Sequence, residues 1–443
     1  MSLMCHAPPE PEKEAPPIRW SLTKRVALRF ATLYFLLYFL PMPFSALLDA
    51  MKMEAASAFT SKVFQGIWLP IANFAARTAW HFQEPIVYRE TGSGDRLFDY
   101  MVVFSSLVIA AIGTVVWSLI DRKRNHYRST YEFLRVVLRY SLAIILMSYG
   151  FSKAMQFPPL QPAQLTTEFG QETPMGMLWN FMGSSLGYSL FSGVLEITAG
   201  FLMLFRRTTT LAALLGAAVM LNVFALNVFY DVPVKLASFH YFVCCVILLL
   251  PDLQRLTNVL LLNRVAEPRE LFPPVRFPRL RIAVLVAKWI FVCLLVGGNT
   301  LDAAESIKVR LAPQDRMVGV WRVISFKQNG AEVETVSVAQ PNRWQKMTIS
   351  KYFQNGLMTI DVFGGSGQYV SYTDDGKDTL TYTSFRRPPI VRTWKYHFSD
   401  QDHLTLVGKL KAGPTIVEFE RLDGTYSLVN HKEHWIQEMP RMP

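Results

Sequence analysis

Seven windows of about 20 mostly apolar residues, each long enough to cross the hydrocarbon of a bilayer, constrain this chain more than any other feature. They fall at roughly 26 to 48, 100 to 120, 133 to 153, 186 to 205, 208 to 230, 235 to 251 and 282 to 301. A water-soluble enzyme is excluded, because only 18% of the 443 residues are charged against roughly 25% in soluble domains. The expected fold is a polytopic α-helical membrane bundle of about seven spans, followed by an all-β domain.

Charge placement orients the spans. The formal net charge of +11 comes from 45 Lys and Arg against 34 Asp and Glu. The cations sit beside the apolar windows, which points to lipid head groups rather than nucleic acid. Alternate connections carry sixteen Lys or Arg: four up to Arg25, four in 121 to 130, Arg206 and Arg207, and six in 252 to 281. The opposite set carries six: five in 50 to 98, none in 154 to 185, and Lys235. By the excess of positive charge on the cytoplasmic side, the N-terminus lies in the cytoplasm and everything after residue 301 lies outside.

Residues 1–25, with Pro8, Pro9, Pro11, Pro16 and Pro17 among charges, read as a disordered cytoplasmic tail. Residues 26–130 hold two spans. Between them Phe59, Val63, Ile67, Ile71 and Phe74 recur at helical spacing, the pattern of an exterior interfacial helix kinked at Pro70. Residues 131–262 supply four spans, 263–301 a basic cytoplasmic loop and the last span, and a short stretch from Asp302 to Gln314 leads outside. From 315 to 443 the pattern changes to strand alternation, with hairpin signals at Asn329-Gly330, Asn355-Gly356, Asp375-Gly376 and Ala412-Gly413. About eight short strands in sequential spacing predict an up-and-down barrel or a related sheet.

Ionisable groups inside spans are costly and therefore informative. Glu196 is about 15 Å from either end of the fourth span, near the midplane. Lys153 closes the third span, Asn222 and Asn227 lie in the outer half of the fifth, Tyr230, Asp231 and Lys235 make the outer turn, and His240 re-enters in the sixth. Together these eight residues predict a polar funnel in the outer half of spans three to six, able to take a polar head group, a quinone ring or a proton path. Each also has a plainer reading: lysine snorkelling, interhelical asparagine bonds, a cap by Asp231. Cys244 and Cys245 read as small packing residues, and neither they, Cys5 nor Cys293 has a CxxC partner. His240 has no second ligand at i+3 or i+4, and His431 and His434 beside Trp435 read as surface residues, so no metal site is expected. Gly364-Gly365-Ser366-Gly367 precedes no helical pattern and reads as a loop rather than a phosphate cradle.

Three stretches of residues 131–262 resemble the DoxX family, a four-helix membrane module. They are Ser148 to Lys153 with Gln156-Phe157-Pro158, Gly193-Val194-Leu195-Glu196, and Tyr230 to Lys235 followed by His240. The resemblance implies a bacterial inner-membrane protein. Relatives include the membrane subunit of thiosulfate:quinone oxidoreductase and a protein needed for methylamine dehydrogenase maturation, which implies redox association. The exterior segment resembles lipocalins locally: Gly319-Val320-Trp321 opens its first strand and Arg421, which would face inward with Val417 and Phe419, closes the last. That implies barrel closure by Arg421 on the ring of Trp321.

Two kinds of function follow. One is a membrane component of a quinone- or oxidoreductase-linked system, with a quinone as the expected cofactor, membrane lipids and an outer oxidoreductase as partners, and the β domain binding ligand or partner. The other is a non-catalytic handler of lipid or hydrophobic ligand, or an assembly scaffold. On either reading the chain is a subunit or accessory protein more than a self-contained enzyme.

Overall fold

The computed structural model describes residues 20–39, 48, 51, 53–268, 278–312, 315–333, 343–351, 356–362, 368–385 and 388–422. Cys5 and the N-terminal prolines, Asn355, Gly364 to Gly367, and His431, His434 and Trp435 lie outside the described residues. The chain divides into two compact units, one from Met1–Ser148, Glu196–Val228 and Pro233–Val296, the other from Tyr149–Leu195, Phe229–Val232 and Gly297–Pro443.

Eleven described helices run along the chain: α1 (Leu22–Phe39), α2 (Glu54–Ala79), α3 (Leu97–Ile120), α4 (Arg128–Gln156), α5 (Pro162–Leu165), α6 (Pro174–Ser184), α7 (Leu186–Met203), α8 (Thr209–Phe229), α9 (Lys235–Leu249), α10 (Leu253–Leu260) and α11 (Pro278–Leu311). Six are long and apolar enough to cross a membrane: α3, α4, α7, α8, the continuous Lys235–Leu260 and Ile282–Leu311. The first expected span appears as α1, described over Leu22–Phe39.

In the first unit α4 supplies the spine. Leu134, Leu138, Leu142 and Leu146 repeat every four residues and are buried among Met203, Ala212, Met220, Cys244, Cys245 and Leu248. Helices approach closely where side chains are small: a Cβ on Gly200 would fall 2.9 Å from the carbonyl oxygen of Ala143, and one on Gly216 would fall 3.0 Å from the sulfur of Cys245. Both cysteines are thus packing residues against neighbouring helices. Helix α2 continues through Pro70 and turns Trp68, Ala72 and Ala76 against Phe98 and Met101 of α3. The apolar stripe Phe59, Val63, Ile67 and Phe74 is exposed. Periodicity finds such a stripe but not which way it faces, and here it faces outward while Trp68, Ala72 and Ala76 face α3.

In the second unit the 154-to-185 connection holds three short helical segments that were not expected, Pro162–Leu165, a single 3-10 turn at Phe169–Gln171, and Pro174–Ser184. Helix α6 begins at Thr173, whose Oγ1 accepts the amide of Gly176 at 3.0 Å, with Pro174 at its first position. The stretch after residue 301 is also helical to Leu311 rather than a linker, because Asp302 to Leu311 contains neither Gly nor Pro. Near its end Arg310 donates to the carbonyls of Phe157 at 2.5 Å and Gly183 at 2.6 Å.

The same unit ends in a closed antiparallel barrel: β1 (Gly319–Gln328), the two-residue β2 (Ala331–Glu332), β3 (Trp344–Lys351), β4 (Gly356–Val362), β5 (Gln368–Asp374), β6 (Thr379–Ser384), β7 (Val391–Phe398), β8 (His403–Leu410) and β9 (Gly413–Arg421). Strands β3 to β9 follow in sequential order after β1, and β9 returns to β1 along Trp321↔Arg421 to Gln328↔Thr415. Asn329 and Gly330, at φ +53° and +82°, make the tight turn into β2. The interior is filled by side chains. Trp321, Trp344, Trp394, Phe326, Phe419, Met347, Met358, Leu380 and Leu406 are buried in one cluster, with Trp344 and Trp394 5.1 Å apart. Gly408 makes room for Trp394, since a Cβ there would lie 2.5 Å from the indole. Helix α5 packs on the outside of β1 and β3, where Val320 and Thr348 are buried although they point away from the interior.

Candidate functional site

The start of α9 is built from a distant loop. Val234 offers no side-chain cap to the helix. Asp95 does so instead, its carboxylate accepting the amides of Lys235 at 2.7 Å and Leu236 at 2.9 Å. Gly94 donates its amide to Pro233 at 2.8 Å, and the ammonium of Lys235 lies 4.0 Å from the same carboxylate. Inside this clasp Asn227 donates to the hydroxyl of Ser238 at 3.0 Å, tying α8 to α9.

One turn further on, His240 is buried. Its Nδ1 lies 2.7 Å from the carbonyl of Leu236, which can only accept, so Nδ1 carries a proton. In the neutral ring Nε2 is then the acceptor, and the hydroxyl of Tyr34, 2.5 Å away on α1, donates to it. Tyr38, one turn along α1, stacks on the imidazole at 4.3 Å with the planes 8° apart. The result is a buried phenol–imidazole pair under a second aromatic ring, with a fixed tautomer. A group in this setting can accept a proton at Nε2 when the hydroxyl of Tyr34 turns away, or relay one through that hydroxyl.

The other expected residues take separate places. Glu196 is buried on α7, only 2% exposed, and belongs to the first unit. Asn222 is exposed on α8, five residues and so about 140° around the helix from Asn227. In the second unit Lys153 is buried, its ammonium donating to Gln156 at 3.4 Å and lying 5.3 Å from the ring centre of Phe157. Tyr230 is half-buried, and exposed Asp231 makes the turn with φ +53°, a left-handed conformation that aspartate tolerates. Of the expected funnel, Asn227 and Lys235 are brought together around Asp95 and Ser238, while His240 sits with Tyr34 and Tyr38.

Tyr34, Tyr38, Asp95 and Ser238 escaped the sequence reading. Tyr34-x-x-x-Tyr38 was a visible signal, two hydroxyls on one helical face of an otherwise apolar segment. Asp95 gave none, being 140 residues from its partner amide.

At the mouth of the barrel the guanidinium of Arg421 lies 4.5 Å from the ring centre of Trp321 and donates to the carbonyls of Val318 at 3.1 Å and Arg316 at 2.5 Å. The indole N–H of Trp321 donates to Met317 at 3.0 Å. Deeper in the barrel, Tyr372, Tyr382 and Trp394 occupy adjacent strands. Burial pushes the phenols of Tyr372 and Tyr382 up, and burial together with a bond to Asp374 pushes Tyr396 up to about 12.

Helices of this length and apolarity, joined to a closed barrel, define a polytopic membrane protein with an all-β domain after its last span. No family model and no solved structure matches the chain. Over 123 residues it is 31% identical to the uncharacterized protein YwoB of Bacillus subtilis (strain 168), a match covering 27% of this chain and 78% of that protein. Over that stretch the chain belongs to the same family as YwoB.

Proposed function

We propose that the chain is a DoxX-like component of a bacterial inner membrane, serving a quinone-linked redox system. In this reading its N-terminus is cytoplasmic and its barrel is periplasmic, where it docks an oxidoreductase. The hydrogen bond between Tyr34 and His240 carries the reading. A neutral imidazole with its acceptor nitrogen turned to a phenol is the base–donor pair that a quinone oxygen requires. A bound quinone would carry two electrons and two protons between the membrane and the partner enzyme. His240 would hold or release a proton at Nε2, Tyr34 would pass it on, and the stacked Tyr38 keeps the imidazole in place and water away. The lipocalin likeness at Trp321 and Arg421 concerns closure, and the packed interior favours partner docking over ligand carriage by the barrel.

The test is purification in mild detergent followed by extraction and mass spectrometry of quinones, comparing the native chain with His240→Ala, Tyr34→Phe and Glu196→Gln. A co-purifying quinone reduced about tenfold in His240→Ala supports the reading. The same quinone content in the native chain and His240→Ala, or phospholipid alone in every sample, overturns it.

A further inference from the structure

Three guanidiniums meet around one aromatic ring just past the end of α3, within the first unit. Arg29 of α1 is 2% exposed and donates to the hydroxyl of Ser118 at 2.7 Å, to the backbone carbonyl of Asp121 at 3.1 Å and to the hydroxyl of Tyr127. All three acceptors are neutral. Its Cζ lies 4.7 Å from the centre of the buried Tyr127 ring, and that of Arg124 lies 5.0 Å from the same centre. Arg25, one turn before Arg29 on α1, donates to the carbonyl of Arg124 at 2.9 Å. Trp20 meets the same connection: its amide donates to the carbonyl of Asn125 at 3.0 Å, and the ammonium of Lys24 lies 4.4 Å from its ring centre.

Among the described residues, Asp121 is the one carboxylate paired with these guanidiniums. It accepts the hydroxyl of Tyr127 at 2.8 Å and lies 3.9 Å from Arg124, so a single negative charge faces three positive ones. The Nε–H groups of Arg25 and Arg29 are both buried without an acceptor. A buried donor left unmatched is costly, and so is an excess of like charge beside a low dielectric. Arg29 is too deep to touch a ligand and adds its charge from beneath. Arg25 is half-buried and Arg124 exposed, so both can turn toward an anion at the surface. The setting selects the anion. Helix α3 is long and apolar enough to cross a membrane and ends at Ile120, next to Asp121, so the cations stand at head-group depth. Leu119 and Ile120 are 53% and 81% exposed, an apolar surface that runs up to the cations and that acyl chains can cover.

We infer that Arg25, Arg29 and Arg124 form a binding site for the phosphate of an anionic glycerophospholipid in the leaflet at the α3–α4 connection. Arg25 and Arg124 hold the phosphate oxygens, since a guanidinium fork matches them in charge and geometry. Arg29 supplies charge from below, and Trp20 lies at the interfacial level that indoles favour. The site is independent of His240 and of any redox role.

The test uses the full chain in detergent, loaded with phosphatidylglycerol or with phosphatidylcholine and read by native mass spectrometry after washing. Phosphatidylglycerol should be retained about tenfold more than phosphatidylcholine. Arg124→Gln, on an exposed side chain, should lower that preference several-fold, and Arg25→Gln with Arg124→Gln should abolish it. Arg25→Lys with Arg124→Lys, which keeps both charges, should keep most of it. Arg264→Gln, an exposed cation elsewhere, should leave it unchanged. These variants spare Arg29, whose bond to Ser118 joins α1 to α3, and circular dichroism of each checks that the bundle is folded. Equal retention of the two lipids by the native chain, a preference unchanged in the Gln variants, or the same loss in Arg264→Gln overturns the site. Displacement of phosphatidylglycerol by millimolar inorganic phosphate would assign the cations to a soluble anion and likewise overturn it.

Discussion

The guanidinium of Arg421 lies over the indole of Trp321, and the two residues are register partners across the seam where the last strand meets the first. The pair therefore closes the barrel twice, once through backbone pairing and once through side chains. Replacing Arg421 with Ala removes a cation–ring contact and two charged hydrogen bonds, a loss of about 2 to 3 kcal/mol. Chemical denaturation of the full chain, followed by protease sensitivity of the barrel, should show it, and Trp321→Phe combined with Arg421→Ala should cost less than the sum of the two.

Trp394 occupies the space that Gly408 leaves open. In Gly408→Ala the new methyl carbon would meet the indole at 2.5 Å, and overpacking of this kind costs about 1 to 3 kcal/mol. Near-ultraviolet circular dichroism should lose its tryptophan signal at lower denaturant than in the native chain.

The clasp on α9 is also open to test. Asp95→Ala leaves the amides of Lys235 and Leu236 without their acceptor, a cap loss of about 1 to 2 kcal/mol. Thermal unfolding in detergent should fall accordingly. Asp95→Asn, which keeps one acceptor oxygen, should fall less.

The barrel should lose stability in alkali. Burial raises the phenols of Tyr372 and Tyr382, and Tyr396 is pushed up to about 12 by burial and its bond to Asp374. An unfolded tyrosine titrates near about 10. The neutral phenols thus stabilise the fold fully below about pH 10, and this contribution is lost as the pH rises through their raised folded values, about 12 for Tyr396. Absorbance at 295 nm should show late-titrating tyrosines in the folded chain, one fewer in Tyr396→Phe.

At the acid end, backbone bonds from Asp402 and the side chain of His403 hold the carboxyl of Asp400 below its usual range. Its contribution is present above about pH 4, the ordinary aspartate value, and is lost as the pH falls through the lower folded value. Asp400→Asn should flatten the acid limb of the stability profile of the barrel, measured by fluorescence.

Spans and strands were legible because each writes a period into the chain: runs of apolar residues for α3, α4, α7, α8, α9 and α11, alternation for about eight strands of the barrel, and Asn329-Gly330 for a turn. Trp321 and Arg421 were legible together, since alternation put Arg421 on the inner face with Val417 and Phe419. The face of α2 was not, because a hydrophobic stripe reads the same whether it meets protein or lipid. Nor was the pairing of Asp95 with Lys235, or of Tyr34 with His240, because a contact across 140 or 206 positions leaves no local pattern. The polar residues of spans three to six could be placed by depth, but azimuth decides which of them meet, as Asn222 and Asn227 demonstrate.

Closure of β9 onto β1 means that the eight main strands of the barrel expose no free edge along that seam. A partner cannot join this sheet there by strand addition, and neighbouring copies crowded on the same membrane cannot zip together through it. Recognition of the domain must therefore be read from its side chains and the loops between its strands, so partner choice can change by surface substitution while the barrel itself stays as it is.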